Sequence, residues 1–458
     1  ALDLSVPGGQ ITTQSCQYYD RHWKVTKEDV LNALNGGGAT KDIKEWPGNG
    51  RTAYFEDQQL APFFDADTNG IYDYTKGDYP NYNFTGNYPN NECNDYIFGD
   101  QTLWWVFNDV GNIHTETGGD IIGLEIRAQA FSFKTNDEIN NMTFYKYKIV
   151  NRSTYTIDST YFGVWVDPDL GRYDDDYVGC DVGLGLGFVY NGDEDDDGTT
   201  GYGLNPPSCG VDFFQGPKAD VGDGIDNDKD GCVDCTFSVD SAGNQIQIPD
   251  FVKPELIIMS KYLYYNNVNG TTNGNPNGAT HFYNYLKGYW GNGQVMTFGE
   301  DGQNPLNPPC NFMFPGNTDP AFPTENWTEA TSFNTSGDRR FLQSAGKFTL
   351  TPGAVNWITT GVVWARTTSG GVQGSINLMK TADVKAQQIF DNCFKVLDGP
   401  SAPDLSIREL KNQVILTLEN YNTNKVENYN EIDPTIPELI PNDQGGVDTL
   451  NADDRSYK

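Results

Sequence analysis

Residues 223–234 read Asp-Gly-Ile-Asp-Asn-Asp-Lys-Asp-Gly-Cys-Val-Asp, with carboxylates at 223, 226, 228, 230 and 234. A segment with acids at every second position cannot line a hydrophobic core, and so many like charges in one turn repel unless a cation sits among them. Ca²⁺ takes about six to eight oxygens at about 2.3–2.6 Å, which a tight loop supplies from alternate side chains plus a backbone carbonyl. Gly231 permits the sharp turn that a Cβ would obstruct. The pattern therefore predicts a calcium loop with Asp223, Asp226, Asp228, Asp230, Asp234 and the Cys232 carbonyl as ligands.

The same grammar recurs. Asp65, Asp67, Asn69 and the Ile71 carbonyl form a second expected set, followed by Asp73 and Asp78. Lys76 stands where an EF-hand has its closing glutamate, so Asp73 or Asp78 must complete the shell. Asp193, Asp195 and Asp197 before Gly198 form a third loop. Asp167 and Asp169, with Asp174, Asp175, Asp176 and Asp181 after them, follow a strand end; they read equally well as site residues or as structural acids of a turn.

Thirty Lys plus Arg against 63 Asp plus Glu give a net charge of −33. A field of that sign repels nucleic acid and anionic lipid. No apolar run approaches the roughly 18 residues needed to span a bilayer, so membrane insertion is not expected. Abundant Tyr, Thr, Asn and Gly favour strands over helices. The fold class expected is mainly β, β-sandwich-rich, with long Asp/Gly-rich calcium-binding loops and few helices. Leu124, Ile126, Ala128 and Ala130 alternate with Glu125, Arg127 and Gln129, and Phe162, Val164 and Val166 alternate likewise. Further strands are expected at 184–190, 255–265, 293–298, 346–350 and 355–365. A helix over 26–34 has Thr26 as its cap, and a second, behind Ser375, carries apolar residues from Ile376 to Cys393 at helical spacing. The breaker-rich stretch 398–403 divides a large region, 1–398, from 399–458, which holds one clear strand at 414–418 and reads as the start of an immunoglobulin- or fibronectin-like domain.

Eight cysteines, at 16, 93, 180, 209, 232, 235, 310 and 393, include one Cys-x-x-Cys and no second pair at zinc-ribbon spacing. Disulfides are expected instead, Cys180 with Cys209 and Cys232 with Cys235, in an oxidising compartment. His114 and Glu116 lack a third partner at a readable spacing, which makes His114 a loop hydrogen-bonding residue. Of Trp104 and Trp105, one ring is expected in the core. Trp104, Trp105 and Trp165 are the rings available for sugar stacking, and Asp167, Asp169 and Asp181 the acids available for glycoside hydrolysis, but acid pairs are too common in this chain to favour that chemistry. No Gly-x-Ser-x-Gly, His-Glu-x-x-His or phosphate-loop motif is present.

Several segments together carry a resemblance: Tyr19-Asp-Arg-His-Trp-Lys24, Gly99-Asp-Gln-Thr-Leu-Trp-Trp-Val-Phe-Asn-Asp109, His114-Thr-Glu-Thr-Gly-Gly119, Tyr161-Phe-Gly-Val-Trp-Val-Asp-Pro-Asp169, Asp175-Asp-Tyr-Val-Gly-Cys-Asp181 and Gly337-Asp-Arg-Arg340. Over most of residues 15–400 the chain resembles the large secreted surface proteins of Bacteroidota exported by the type IX secretion system. The resemblance implies a signal peptide, β-rich modules and a C-terminal sorting domain. With neither end segment recognisable here, the sequence is expected to be a mature piece of a longer protein. It also implies O-glycans at Asp-(Ser/Thr)-x sequences such as Asp158-Ser159-Thr160, Asp240-Ser241-Ala242 and Asp448-Thr449-Leu450. The functional expectation is an extracellular, calcium-stabilised structural or adhesive cell-surface protein, with cell-surface or secretion-apparatus proteins as partners. Two alternatives stand beside it: a carbohydrate-binding or glycoside-degrading protein, with polysaccharide as partner, and an accessory component of the secretion or gliding apparatus.

Overall fold

The computed structural model describes residues 11–52, 56–89, 92–239, 245–396, 403–411 and 413–419, with short pieces beyond. The 398–403 hinge lies outside them except for Pro403. The chain is mainly β. Its long strands are β1 (Trp23–Thr26), β2 (Gln101–Asn108), β3 (Leu124–Ser132), β4 (Met142–Asn151), β5 (Ile157–Val166), β6 (Asp176–Asp181), β7 (Leu186–Asn191), β8 (Ser208–Gln215), β9 (Lys261–Tyr265), β10 (Arg340–Leu350) and β11 (Val355–Ala365). The main helices are α1 (Lys27–Leu34) and α2 (Gly371–Asp391).

Eight strands form one antiparallel sheet in the order β1-β2-β3-β4-β11-β8-β7-β6, and a second sheet runs β9-β10-β5. Between them lies a core that includes Val178, Val189, Val211, Phe213 and Ile358 from the large sheet and Tyr262, Leu263, Phe341, Ala345 and Phe348 from the small one. The Tyr147–Phe162 and Phe162–Phe213 rings meet across that layer at 5.6 and 6.1 Å. This is the expected sandwich. On the opposite face of the large sheet, α2 sets Met379 against the Ser208 hydroxyl. A separate aromatic core joins Trp23, Trp46 and Trp104 beside α1.

Local capping explains where one helix was read correctly and where the other was not. The Thr26 hydroxyl accepts from the Asp29 amide, so α1 begins as the sequence predicts. By contrast α2 begins at Gly371, and Ser375 lies inside it, its hydroxyl accepting from the Thr367 amide. The first free amides of α2 are satisfied from a distant loop, Gly371 by Asn205 at 3.0 Å and Val372 by the Glu194 carboxylate at 3.0 Å.

The alternation along β3 is present, yet its polar face is buried as well: Glu125 is 1% exposed and Arg127 8%. Loop 57–61 covers that face, and Arg127 donates to the Leu60 carbonyl at 3.1 Å. The strand expected over 255–265 begins only at Lys261, and 293–298 makes isolated bridges rather than a strand. The expected Cys180–Cys209 disulfide does not form; both thiols are free. β7 runs between their strands, with Cys180 opposite Gly187 and Cys209 opposite Val189. Two inter-strand spacings of about 4.8 Å exceed the span a disulfide bridges. Cys232 and Cys235 are bonded, Cα to Cα 5.3 Å, and an unforeseen bridge joins Cys93 and Cys393.

The described residues cluster into two compact units: 1–85, 94–237 and 247–384 form the first, and 86–93, 238–246 and 385–458 the second. Within the second, Asp404–Leu410 pairs antiparallel with Gln413–Glu419, so the single strand expected at 414–418 has a partner. No helix among the described residues is long and apolar enough to cross a membrane.

Candidate metal clusters

The first acidic loop closes on itself through backbone amides. Asp65 accepts from the Asn69 and Gly70 amides at 3.2 and 2.6 Å, and Asn69 accepts from Ile71 at 2.7 Å. Gly70, at φ +76°, turns the chain where another residue would be strained. Oxygens of Asp65, Asp67 and Asp78 come within 4.8 Å of one another. Asp78 is buried and accepts from the Ala66 and Asp73 amides at 2.9 and 2.7 Å. Asp73 faces away, accepting from the Thr75 amide and hydroxyl to cap the short turn Tyr74–Lys76. Of the two residues that could close the shell, Asp78 is the one brought to it.

The 223–234 run divides. Asp226, Asp228 and Asp230 form one group within 4.8 Å, while Asp234 joins Asp250 and Glu255 in another. Lys229, Gly231 and Asp234 take left-handed backbone, at φ +55°, +94° and +53°, which swings Asp234 out of the first group. Asp223 belongs to neither; it accepts from the Ile225 amide and the Asn227 side chain. The two groups interlock through the backbone. Gly224 donates to Asp234 at 2.8 Å, Gly222 to Asp250 at 2.6 Å, and Asn227 to Glu255 at 3.1 Å. Cys232 donates its amide to Asp230 at 2.8 Å, and its disulfide ties the end of the loop. Burial pushes the Glu255 carboxyl up to about 7, with Asp228, Asp226 and Asp223 adding to the rise. Burial likewise raises Asp228, and one oxygen of Asp226 is buried with no hydrogen-bond partner.

The third loop does not gather its acids. Asp195 lies in a two-residue strand, where side chains alternate faces, and Asp193 accepts from the Asp195 amide at 2.9 Å. Asp197 lies 3.8 Å from Arg172. Asp167 and Asp169 do converge with Asp338, but Arg340 pairs with both Asp167 and Asp338, at 3.1 and 2.9 Å. Asp181 stands elsewhere, paired with Lys380 on α2 at 2.7 Å. Trp165 is 55% exposed, with its indole N–H donating to the Tyr265 hydroxyl. His114 sets its two ring nitrogens against the Gly119 and Asp109 carbonyls at 3.1 and 2.8 Å, in the loop role expected of it.

Several Asp-rich clusters in this chain can thus hold a metal ion. In the 65–78, 226–230 and 234–255 groups, no acid forms an ion pair with Lys or Arg among the described residues. The sequence reading missed Asp250 and Glu255, which are far along the chain from the motif; the one signal available was two acids flanking an aromatic turn before a strand. A cleft of about 680 Å³ beside the first loop includes Trp357, Lys146 and Lys148. Its acids are engaged: Asp57 with Arg127 and Arg152, Asp95 with Lys148, and Asp65 in the loop cluster. No protein-family model matches the sequence, and no curated protein matches it.

Proposed function

We propose that this is an extracellular, calcium-stabilised structural or adhesive surface protein, exported as cargo of the type IX secretion system. The observation that carries the reading is the set of three acidic clusters whose hydrogen-bond donors are backbone amides and the Thr236 side chain rather than Lys or Arg. Carboxylate and amide oxygens without a protein cation suit a hard, oxygen-seeking ion, and the loops' carbonyls and solvent can complete a coordination of about six to eight. Bound calcium would crosslink long loops that bury little apolar surface and hold them rigid on the outside of the sandwich. A surface module of this kind works by presenting stiff loops, and partner proteins of the cell surface or the secretion apparatus would dock on them.

The test is thermal unfolding with calcium and with excess chelator. A ligand that binds only the folded state stabilises it by about 2.7 kcal/mol per site at a hundredfold excess over its dissociation constant. The melting temperature should fall on chelation and return on adding Ca²⁺ but not Mg²⁺; an unchanged curve refutes the calcium reading. The alternative, polysaccharide binding, is favoured by the Trp357 cleft, where Lys148 lies 4.7 Å from the ring. The pairing of the acids there supports binding without hydrolysis.

A further inference from the structure

We propose that Asp176 and Asn191 form an additional site for a hard divalent cation such as Ca²⁺ at the end of the β6–β7 pair, with Asp175 and Asp196 adding negative charge nearby without gathering into a ligand triad with Asp176. Asp176 and Asn191 are directly opposed in the antiparallel register, so their side chains leave the same face of the sheet with Cβ atoms about 4.5–5.5 Å apart. That face is the inner one, since Val178 and Val189, the next opposed pair on it, belong to the sandwich core. Asp176 is 0% exposed and Asn191 1%.

At this position, four acceptor oxygens are buried without a hydrogen-bond partner: both of Asp176, the amide oxygen of Asn191 and one of Asp175. Leaving even one buried polar group unsatisfied costs about 1–3 kcal/mol, and more when it is charged. The nearby donors serve other acceptors first. The Leu170 amide donates to the Pro168 carbonyl at 3.0 Å while also facing Asp176 and favouring its ionised form, and the Asn191 side-chain N–H donates to the Asp193 carbonyl at 3.1 Å. Arg339 serves Glu329 at 2.8 Å and the Thr335 carbonyl. Arg172 serves Asp174. Asp196 is 2% exposed and is pinned by the Arg172 and Tyr202 amides at 3.0 and 2.8 Å, which holds its charge near Asp176. Burial raises the Asp176 carboxyl to about 9, and the charges of Asp175 and Asp196 push in the same direction. Leu170 and Arg339 favour the ionised Asp176 only in part, and its buried oxygens, with no hydrogen bond and two further acids nearby, suit a cation. This site is independent of the three loop clusters; it draws on the 193–198 segment only through Asp196, the residue that the loop pattern skips.

The discriminating experiment measures bound calcium and melting temperature for the full chain and for Asp176→Asn, with Asp226→Asn as a reference for the loop site. Asp176→Asn should lose about one Ca²⁺ per chain by equilibrium dialysis and should melt lower than wild type in calcium. The alternative is a protonated Asp176 bonded to Asn191. The neutral isostere would then keep the full calcium content and melt at or above wild type, and that result overturns the proposal. Asn191→Asp covers the case in which Asp176→Asn fails to fold. A cation site gains charge and binds calcium more tightly, so this variant should be stabilised by calcium more steeply than wild type. Destabilisation that calcium does not relieve counts against the site.

Discussion

Glu125 and the buried and half-buried acids among residues 226–255 face the same problem, a carboxylate drawn partly or wholly from water, and meet it in opposite ways. On β3, Glu125 pairs with Arg127 at 2.9 Å and Arg152 at 3.2 Å, and both arginines also reach Asp57. Burial pushes the Glu125 carboxyl up, and the two guanidinium charges more than reverse it, leaving it below the ordinary glutamate range. Asp226, Asp228 and Asp230 have no such partner, and burial leaves Asp228 raised. The arginine network is complete within the chain, whereas the loop clusters pair with no Lys or Arg among the described residues and, on the reading proposed above, take an ion from outside. The sandwich and its loops should therefore respond to different chemistry.

The largest effect separating them is expected at Arg127. Replacing it with Met leaves Glu125 to Arg152 and removes the Arg127 donor from the Leu60 carbonyl. Removing one partner of a buried ion pair costs about 3–5 kcal/mol when the other charge is left unpaired, so with Arg152 retained the loss should lie at the low end, about 3 kcal/mol. The loss should be equal with and without calcium in urea unfolding. A loss that calcium abolishes would show that the two regions are not separate.

The next effect runs the other way. Asp226→Asn should cost about 2–3 kcal/mol in saturating calcium, the scale of one ligand-linked site, and close to nothing in chelator. The same comparison for Asp73→Asn should show no calcium dependence, because Asp73 caps its own turn.

These contrasts also mark what the sequence made legible. The acids that gather at 65–78 and 226–230 follow one another along the chain, so spacing alone brought them out. Asp250 and Glu255 meet Asp234, whose left-handed backbone at a non-glycine residue no local pattern encodes. Thr26 was readable because its helix is capped from its own sequence; α2 was misjudged at its start because Glu194 and Asn205 arrive from another loop. Strand existence followed from alternation, but strand neighbours did not, and so Cys180 was paired with a cysteine two strands away. The buried charge on β3 escaped for a related reason: the loop covering Arg127 lies more than sixty residues earlier in the sequence.

A third effect distinguishes the face of the sheet under α2. Burial, reinforced by the charge of Asp383, holds the Asp212 carboxyl well above the usual range; burial, reinforced by Asp181 and opposed by Lys380, raises Asp383 to about 8. In the unfolded chain both ionise near about 3.9. The native state therefore binds more protons, and stability falls as pH rises from about 4 to about 8. Asp383→Asn should flatten that fall by about 2 kcal/mol between pH 5 and pH 8, half the limit of about 1.4 kcal/mol per pH unit. Parallel slopes for variant and wild type would place the titration elsewhere.

The smallest effect belongs to the Cys232–Cys235 bridge, and it bears on how far the loop clusters organise themselves. The bridge closes a short ring, since the two residues are 3 apart in sequence, so constraint of the unfolded chain contributes little, about 1–2 kcal/mol. Its position matters more than that figure. Cys232 donates to Asp230 and Asp234 follows two residues on, so the bridge fixes the turn that parts the two acid groups. If calcium alone shapes the loop, replacing both cysteines with serine should cost about 1 kcal/mol in chelator and less in saturating calcium, where the ion holds the turn. If the bridge instead prearranges the ligands, the double variant should show an additional loss in calcium through weaker binding. Calcium titrations of both proteins, read by the shift in melting temperature, decide between them, and the first outcome is expected because backbone amides already seat Asp226, Asp230 and Asp234.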